Sequence, residues 1–160
     1  MSDALFVLTL ITALGAGLVA GAFFAFSTFV MAALGRVAPP EGIRAMQQIN
    51  VTVINPWFMT ALFGTGLACL AIVVVALADW DGDHGPYLIA AAVTYVIGCD
   101  GVTMAFNVPR NNTLARLEPE SAEAESVWRR YLVEWTAWNT VRTVASLAAT
   151  GLLIGGIAAG

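Results

Sequence analysis

The sequence contains no lysine, one histidine and two cysteines, and only 11% of its residues are charged. One histidine excludes bis-histidine haem ligation, a three-histidine zinc site and a histidine-bearing di-iron site, and no cysteine cluster replaces it, so no protein-ligated metal is expected. Cys69 and Cys99 each sit in the middle of an apolar run and read as buried filler rather than as a disulfide. Seven scattered arginines on a net charge of -4 give no footprint for nucleic acid. His84 falls in a hydrophilic loop. The spacing of Asp79, Asp81 and Asp83 beside it faintly resembles a calcium loop, but Ala90 stands where the closing glutamate belongs, so a solvated turn is expected.

What the chain has in abundance is apolar surface. Its residues are 59% hydrophobic and its mean hydropathy is +0.78, which suits a membrane better than a water-soluble core. Four apolar runs can each cross the roughly 30 Å hydrocarbon layer. They predict an all-α fold, a four-helix transmembrane bundle with amphipathic helical segments in the cytoplasmic loops. Residues 1–160 form a single domain with spans at 4–34, 56–77, 87–106 and 138–158. The first run lacks a basic leader and a cleavage signal, so it is expected to be retained. Small pairs at Gly17/Gly21, Gly64/Gly66 and Gly151/Gly155 offer close helix packing. Pro109 is expected to end the third span, and a helix beginning near Ser121 to run into the fourth.

Arg36, Arg44, Arg110, Arg116, Arg129 and Arg130 occupy the first and third loops, whereas the second loop carries three aspartates. The positive-inside rule then places those two loops in the cytoplasm and both termini outside. At that same face gather Gln48, Asn50, Asn55, Asn107, Asn111, Asn139 and Arg142, amides and one arginine from several segments. A charge about one turn inside a span costs roughly 2.5–3.5 kcal/mol and calls for a partner or a ligand. Asp100, at a comparable depth, is the expected partner of Arg142 or else a catalytic base. With a period of 3.6, Asp100, Thr103 and Asn107 share one face. Trp128, Tyr131, Trp135 and Trp138 form a stripe along the fourth helix, read as an interface belt, from which Trp135 turns toward Asn139 and Arg142. Arginine beside tryptophan suits a flat, oxygenated aromatic molecule. Ser27 is expected to bond back to its own helix.

INVTVINPWFM (residues 49–59), VTMAFNVPRNNTLA (102–115) and the W-x7-W-x2-WN-x2-RT pattern from Trp128 to Thr143 resemble the anthrone-oxygenase-like integral membrane family. The resemblance covers nearly the whole chain. It implies oxidation of an anthrone-like or phenolic polycyclic substrate to a quinone by dioxygen as co-substrate, without a cofactor, in a bacterial inner membrane. Asp100, Asn139 and Arg142 are then the catalytic candidates. Gln48, Asn50, Asn55, Thr103, Asn107, Asn111 and Trp135 are the substrate-binding candidates. The chain departs from the family pattern at Thr140, where a histidine is often found, and at Arg110, a commonly apolar position. The expected partners are membrane lipid and a small aromatic or quinone-like molecule, and homo-oligomers remain open. The alternative is a non-enzymatic membrane protein that binds a quinone-like or lipid ligand, or an accessory subunit.

Overall fold

The computed structural model describes residues 1–78 and 83–160. Asp79 and Asp81 of the calcium-like spacing lie outside the described residues. Five helices account for the described chain, with no strand among the described residues. They are α1 (Asp3–Leu34), α2 (Pro39–Thr52), α3 (Pro56–Ala78), α4 (Gly85–Ala115) and α5 (Ala124–Ala159). All but α2 are long and apolar enough to cross a membrane. Side chains such as Leu14 and Leu18 on the outward face of α1 are as apolar as those it buries. Apolar residues all round a helix that buries only one side mark a lipid environment.

Local chemistry sets the boundaries. Ser2 accepts the Leu5 amide at the start of α1, and Asn55 accepts the Phe58 amide at the start of α3, with Pro56 directly behind it. Around the bundle α1 packs on α3 and α5, and α4 packs on the same two, so α1 and α4 stand on a diagonal. The core has three layers. One near the termini is built on Leu5, Ile72, Leu88 and Leu153, and a middle one on Val19, Leu62, Tyr95 and Cys99. The third, on Ile43, Met46, Leu114 and Trp128, is where α2 folds across the bundle end.

Three of the four long helices are not regular. Wide turns, with i→i+5 hydrogen bonding, interrupt α1 at Phe26–Val30, α3 at Thr60–Gly64 and α4 at Val96–Gly101 and Thr103–Asn107. Such turns spoil the carbonyl ladder, and polar side chains take up the slack: Asn139 donates to Phe23 O, Tyr95 to Leu62 O and Arg110 to Phe106 O. Pro109 therefore does not end the third span. It follows the last wide turn at a position that needs no amide hydrogen, and α4 continues to Ala115.

The expected glycine contacts also shift. Gly21 and Gly151 face open space, and Gly17 meets Thr150 only at ordinary distance. Gly66 and Gly155 do meet close neighbours, Asp100 and Tyr87, and a further tight approach is at Gly42 of α2, where a Cβ would lie 2.8 Å from both Leu34 O and the Trp128 ring. Gly42→Ala is expected to push α2 off the bundle end at a cost of about 1–3 kcal/mol, read as a lower thermal midpoint in detergent. An unchanged midpoint would mean that α2 is not tightly seated.

Candidate functional site

Between α2 and the ends of α1, α3, α4 and α5 lies a cavity of about 670 Å³. Its walls are mostly apolar, from Phe23 and Phe26 of α1, Met46 of α2, Phe58 and Leu62 of α3 and Trp135 of α5. Its mouth is walled by Val51, Ile54 and Met104, which are 67%, 72% and 57% exposed.

One charged side chain lines the cavity, and it is Arg142. Arg142 is 4% exposed. One terminal nitrogen donates to Thr103 Oγ1 at 3.2 Å and the other to Asn139 Oδ1 at 2.7 Å. The guanidinium carbon lies 4.0 Å from the centre of the Phe23 ring and 5.3 Å from that of Trp135. Its Nε is buried and makes no hydrogen bond. Among the described residues, ion pairs join Arg44 to Glu120, Arg110 to Glu134 and Arg129 to Glu125, and none involves Arg142. The cavity thus holds a positive charge that no carboxylate neutralises. In a low-dielectric surround such a charge favours an anion or a strongly polarised carbonyl.

Asn139 is fully buried and ties three parts together. Its Nδ2 reaches Phe23 O and Ser27 Oγ, both at 2.7 Å, while its Oδ1 holds Arg142. Ser27 therefore does not bond back along α1. It serves α5, accepting from Asn139 and contacting the Thr140 hydroxyl at 3.0 Å.

A second polar group lies nearer the mouth. Asn111 Oδ1 accepts from Trp135 Nε1 at 2.8 Å and from the Tyr131 hydroxyl at 2.9 Å, and Asn50 Nδ2 approaches the same hydroxyl at 3.5 Å. Gln47, also in the wall, donates to the Leu114 and Leu117 carbonyls and fastens α2 to the end of α4.

Of the residues singled out from sequence, Asn50, Thr103, Asn111, Trp135 and Arg142 line this cavity, and Asn139 stands directly behind Arg142. The others lie elsewhere. Gln48 is exposed on α2 and is absent from the wall. Asn55 caps α3, and Asn107 is buried with its Nδ2 on Trp135 O at 3.2 Å. Asp100 neither lines the cavity nor pairs with Arg142. One oxygen packs where Gly66 lacks a Cβ, and the other is buried without a partner. The wide turns explain this, because they rotate Asp100 away from the face shared by Thr103 and Asn107.

The aromatic stripe is also internal rather than a belt. Trp128, Tyr131 and Trp135 are buried and stacked in series, at 5.6 and 6.1 Å between ring centres. Trp138 lies flat on Phe106 at 3.6 Å. Among the described residues, Trp57, 88% exposed, is the tryptophan that faces outward. His84 is buried beside Gly160, at the far end of the bundle from the cavity. Sequence reasoning passed over Phe23, Phe26 and Met46. Their only signal was the aromatic density of span one and the apolar face of α2.

The sequence model of one protein family, anthrone oxygenase, matches residues 55–152, well over half of the chain. The chain belongs to the anthrone oxygenase family. The match runs from the Asn55 cap through α3 and α4 and past Arg142, so it takes in the cavity wall from Phe58 to Arg142. It leaves out α1 and α2, which bring Phe23, Phe26, Gln47 and Asn50 to the same cavity. No curated protein and no solved structure matches the chain. Arg110 pairs with Glu134 at 2.9 Å and donates to Phe106 O.

Proposed function

We propose that the chain oxidises an anthrone-like or phenolic polycyclic substrate to a quinone with dioxygen, and that the substrate oxygen sits on Arg142. The observation that carries this reading is a buried guanidinium without a carboxylate partner at the head of an otherwise apolar, aromatic-lined cavity. An anthrone carries a doubly benzylic methylene activated through its carbonyl. Loss of one proton gives an enolate whose charge rests on oxygen, and Arg142 meets that oxygen with charge-assisted hydrogen bonds. Asn139 and Thr103 position the guanidinium. Among the described residues no carboxylate or imidazole lines the cavity, so the proton passes to solvent water, driven by stabilisation of the anion rather than by a strong base.

The enolate transfers one electron to dioxygen and the two radicals join, forming a carbon–oxygen bond. Protonation gives a hydroperoxide. Loss of the remaining hydrogen on that carbon, with cleavage of the oxygen–oxygen bond, leaves a carbonyl and releases water. The sum is anthrone plus dioxygen to quinone plus water. The test is oxygen uptake and quinone absorbance followed together with purified protein and a simple anthrone, against buffer and empty detergent. No acceleration would defeat this reading. The missing general base favours one second reading, a carrier that binds such molecules without turning them over. It predicts a shifted ligand spectrum and no oxygen consumption.

Orientation completes the proposal. Six arginines lie toward the end of the bundle that α2 covers, and by the positive-inside rule that end is cytoplasmic, in a bacterial inner membrane, with both termini outside. Cysteines introduced at Asp83 and Glu118, both exposed, are expected to label from the outside and the inside respectively. Labelling of both from one side would refute this topology.

A further inference from the structure

We infer that Asn50 and Asn111 form a hydroxyl-reading pair that selects ligands carrying an OH on a ring beside the one whose oxygen meets Arg142. The inference rests on the cavity reading proposed above and adds a determinant of specificity to it. The argument is an accounting of hydrogen-bond donors and acceptors. An indole N–H can only donate, so the Asn111 atom 2.8 Å from Trp135 Nε1 is its carbonyl oxygen, which fixes the orientation of the amide. Tyr131 gives its one proton to that same oxygen at 2.9 Å. Toward Asn50 the phenol has only lone pairs left to offer, so Asn50 presents its NH2 there.

Two groups are left over. Asn111 Nδ2, a donor, and Asn50 Oδ1, an acceptor, have no hydrogen-bond partner among the described residues, and both residues line the cavity. Neither atom is among the buried groups lacking a partner, so both are open to the cavity or its mouth. One free donor and one free acceptor, on two side chains that meet the same Tyr131 hydroxyl, are the complement of a hydroxyl, which both gives and takes a hydrogen bond. A carbonyl or an ether would satisfy only the donor, and a methyl group neither.

Placement sets which hydroxyl is read. Trp135 links the two polar ends: its ring centre lies 5.3 Å from the Arg142 guanidinium carbon, and its Nε1 donates to Asn111 Oδ1 at 2.8 Å. A ligand whose central-ring oxygen meets Arg142 and whose body lies against Phe26 and Trp135 therefore brings an adjoining ring toward the rim pair. The rim pair is held by the stacked tryptophan and tyrosine rings rather than by flexible loop, so it is preorganised for its ligand.

The test is equilibrium binding in lipid nanodiscs, followed by tryptophan quenching with empty discs as the partition blank. The probes are anthraquinone and a monohydroxylated anthraquinone bearing its OH on a terminal ring. Wild type is expected to bind the hydroxylated probe about tenfold more tightly. Asn50→Leu should bring that ratio to within about twofold, the readout being the ratio and not the affinity for either probe alone. Asn111→Asp keeps the acceptor for Trp135 and Tyr131 but replaces the free donor by an oxygen, so the ligand hydroxyl keeps only the bond that it donates and the preference should fall without vanishing. A wild-type ratio near one, failure of both probes to bind, or equal losses for both probes in Asn50→Leu would overturn the inference. Oxygen uptake separates the two claims. Preference without turnover sinks the proposed reaction and leaves this pair standing, whereas turnover without preference sinks the pair alone.

Discussion

Arg142→Gln is expected to lower anthrone-dependent oxygen uptake by about 100- to 1,000-fold, the usual effect of removing a principal oxyanion donor. Glutamine keeps a donor and much of the length but removes the charge, so the loss would report on stabilisation of an anion rather than on space. Arg142→Lys retains the charge as a compact ammonium without the planar fork, and should retain more activity than glutamine but less than wild type. The fold must be verified for each variant by its thermal midpoint, because the guanidinium also packs on Phe23 at 4.0 Å. If the folded glutamine variant turns over like wild type, the guanidinium is structural and the proposed chemistry is wrong.

The second large effect is on stability. Asn139→Leu removes the amide that joins Phe23 O, Ser27 Oγ and Arg142, all at 2.7 Å. It leaves a carbonyl beside a wide turn of α1 and a buried guanidinium nitrogen each short of a partner. The expected cost is about 3 kcal/mol, at the upper end for an unsatisfied buried group. It should appear as a lower midpoint in denaturant-titrated micelles. Ser27→Ala, which takes away one acceptor and leaves Phe23 O in place, should cost about 1 kcal/mol or less. Equal effects of the two would mean that the Phe23 carbonyl contact adds nothing.

These residues show what sequence can and cannot convey. Asn139, Arg142, Thr103 and Asn111 were legible because polar groups in apolar helices are costly and so face the interior. The spacing of Asn139 and Arg142 on α5, the long helix without a wide turn, is that of a regular helix, so arithmetic on residue numbers worked there. It failed for Asp100. The wide turns in α4 carry no side-chain signature, and a period of 3.6 carried across them puts Asp100 on the wrong face. The aromatic stripe misled for another reason. Tryptophan and tyrosine at a helix end look alike whether they meet headgroups or a covering helix, and only the docking of α2 decides that they are core. Gln48 and Gln47 are neighbours on α2, and which of them faces inward is a matter of how that short helix is rolled on the bundle.

The mouth of the cavity has a bearing on how its ligand should be counted. Val51, Ile54 and Met104 are at once wall and outer surface, so the opening is wetted by the phase that covers exposed apolar side chains. In a bilayer that phase is lipid. A flat aromatic molecule dissolved there arrives by two-dimensional diffusion, and the quantity that sets occupancy is its mole fraction in the membrane. Adding protein-free vesicles at constant total ligand should then depress the apparent affinity in proportion to the lipid added, with the ligand's concentration in water a poor guide to saturation.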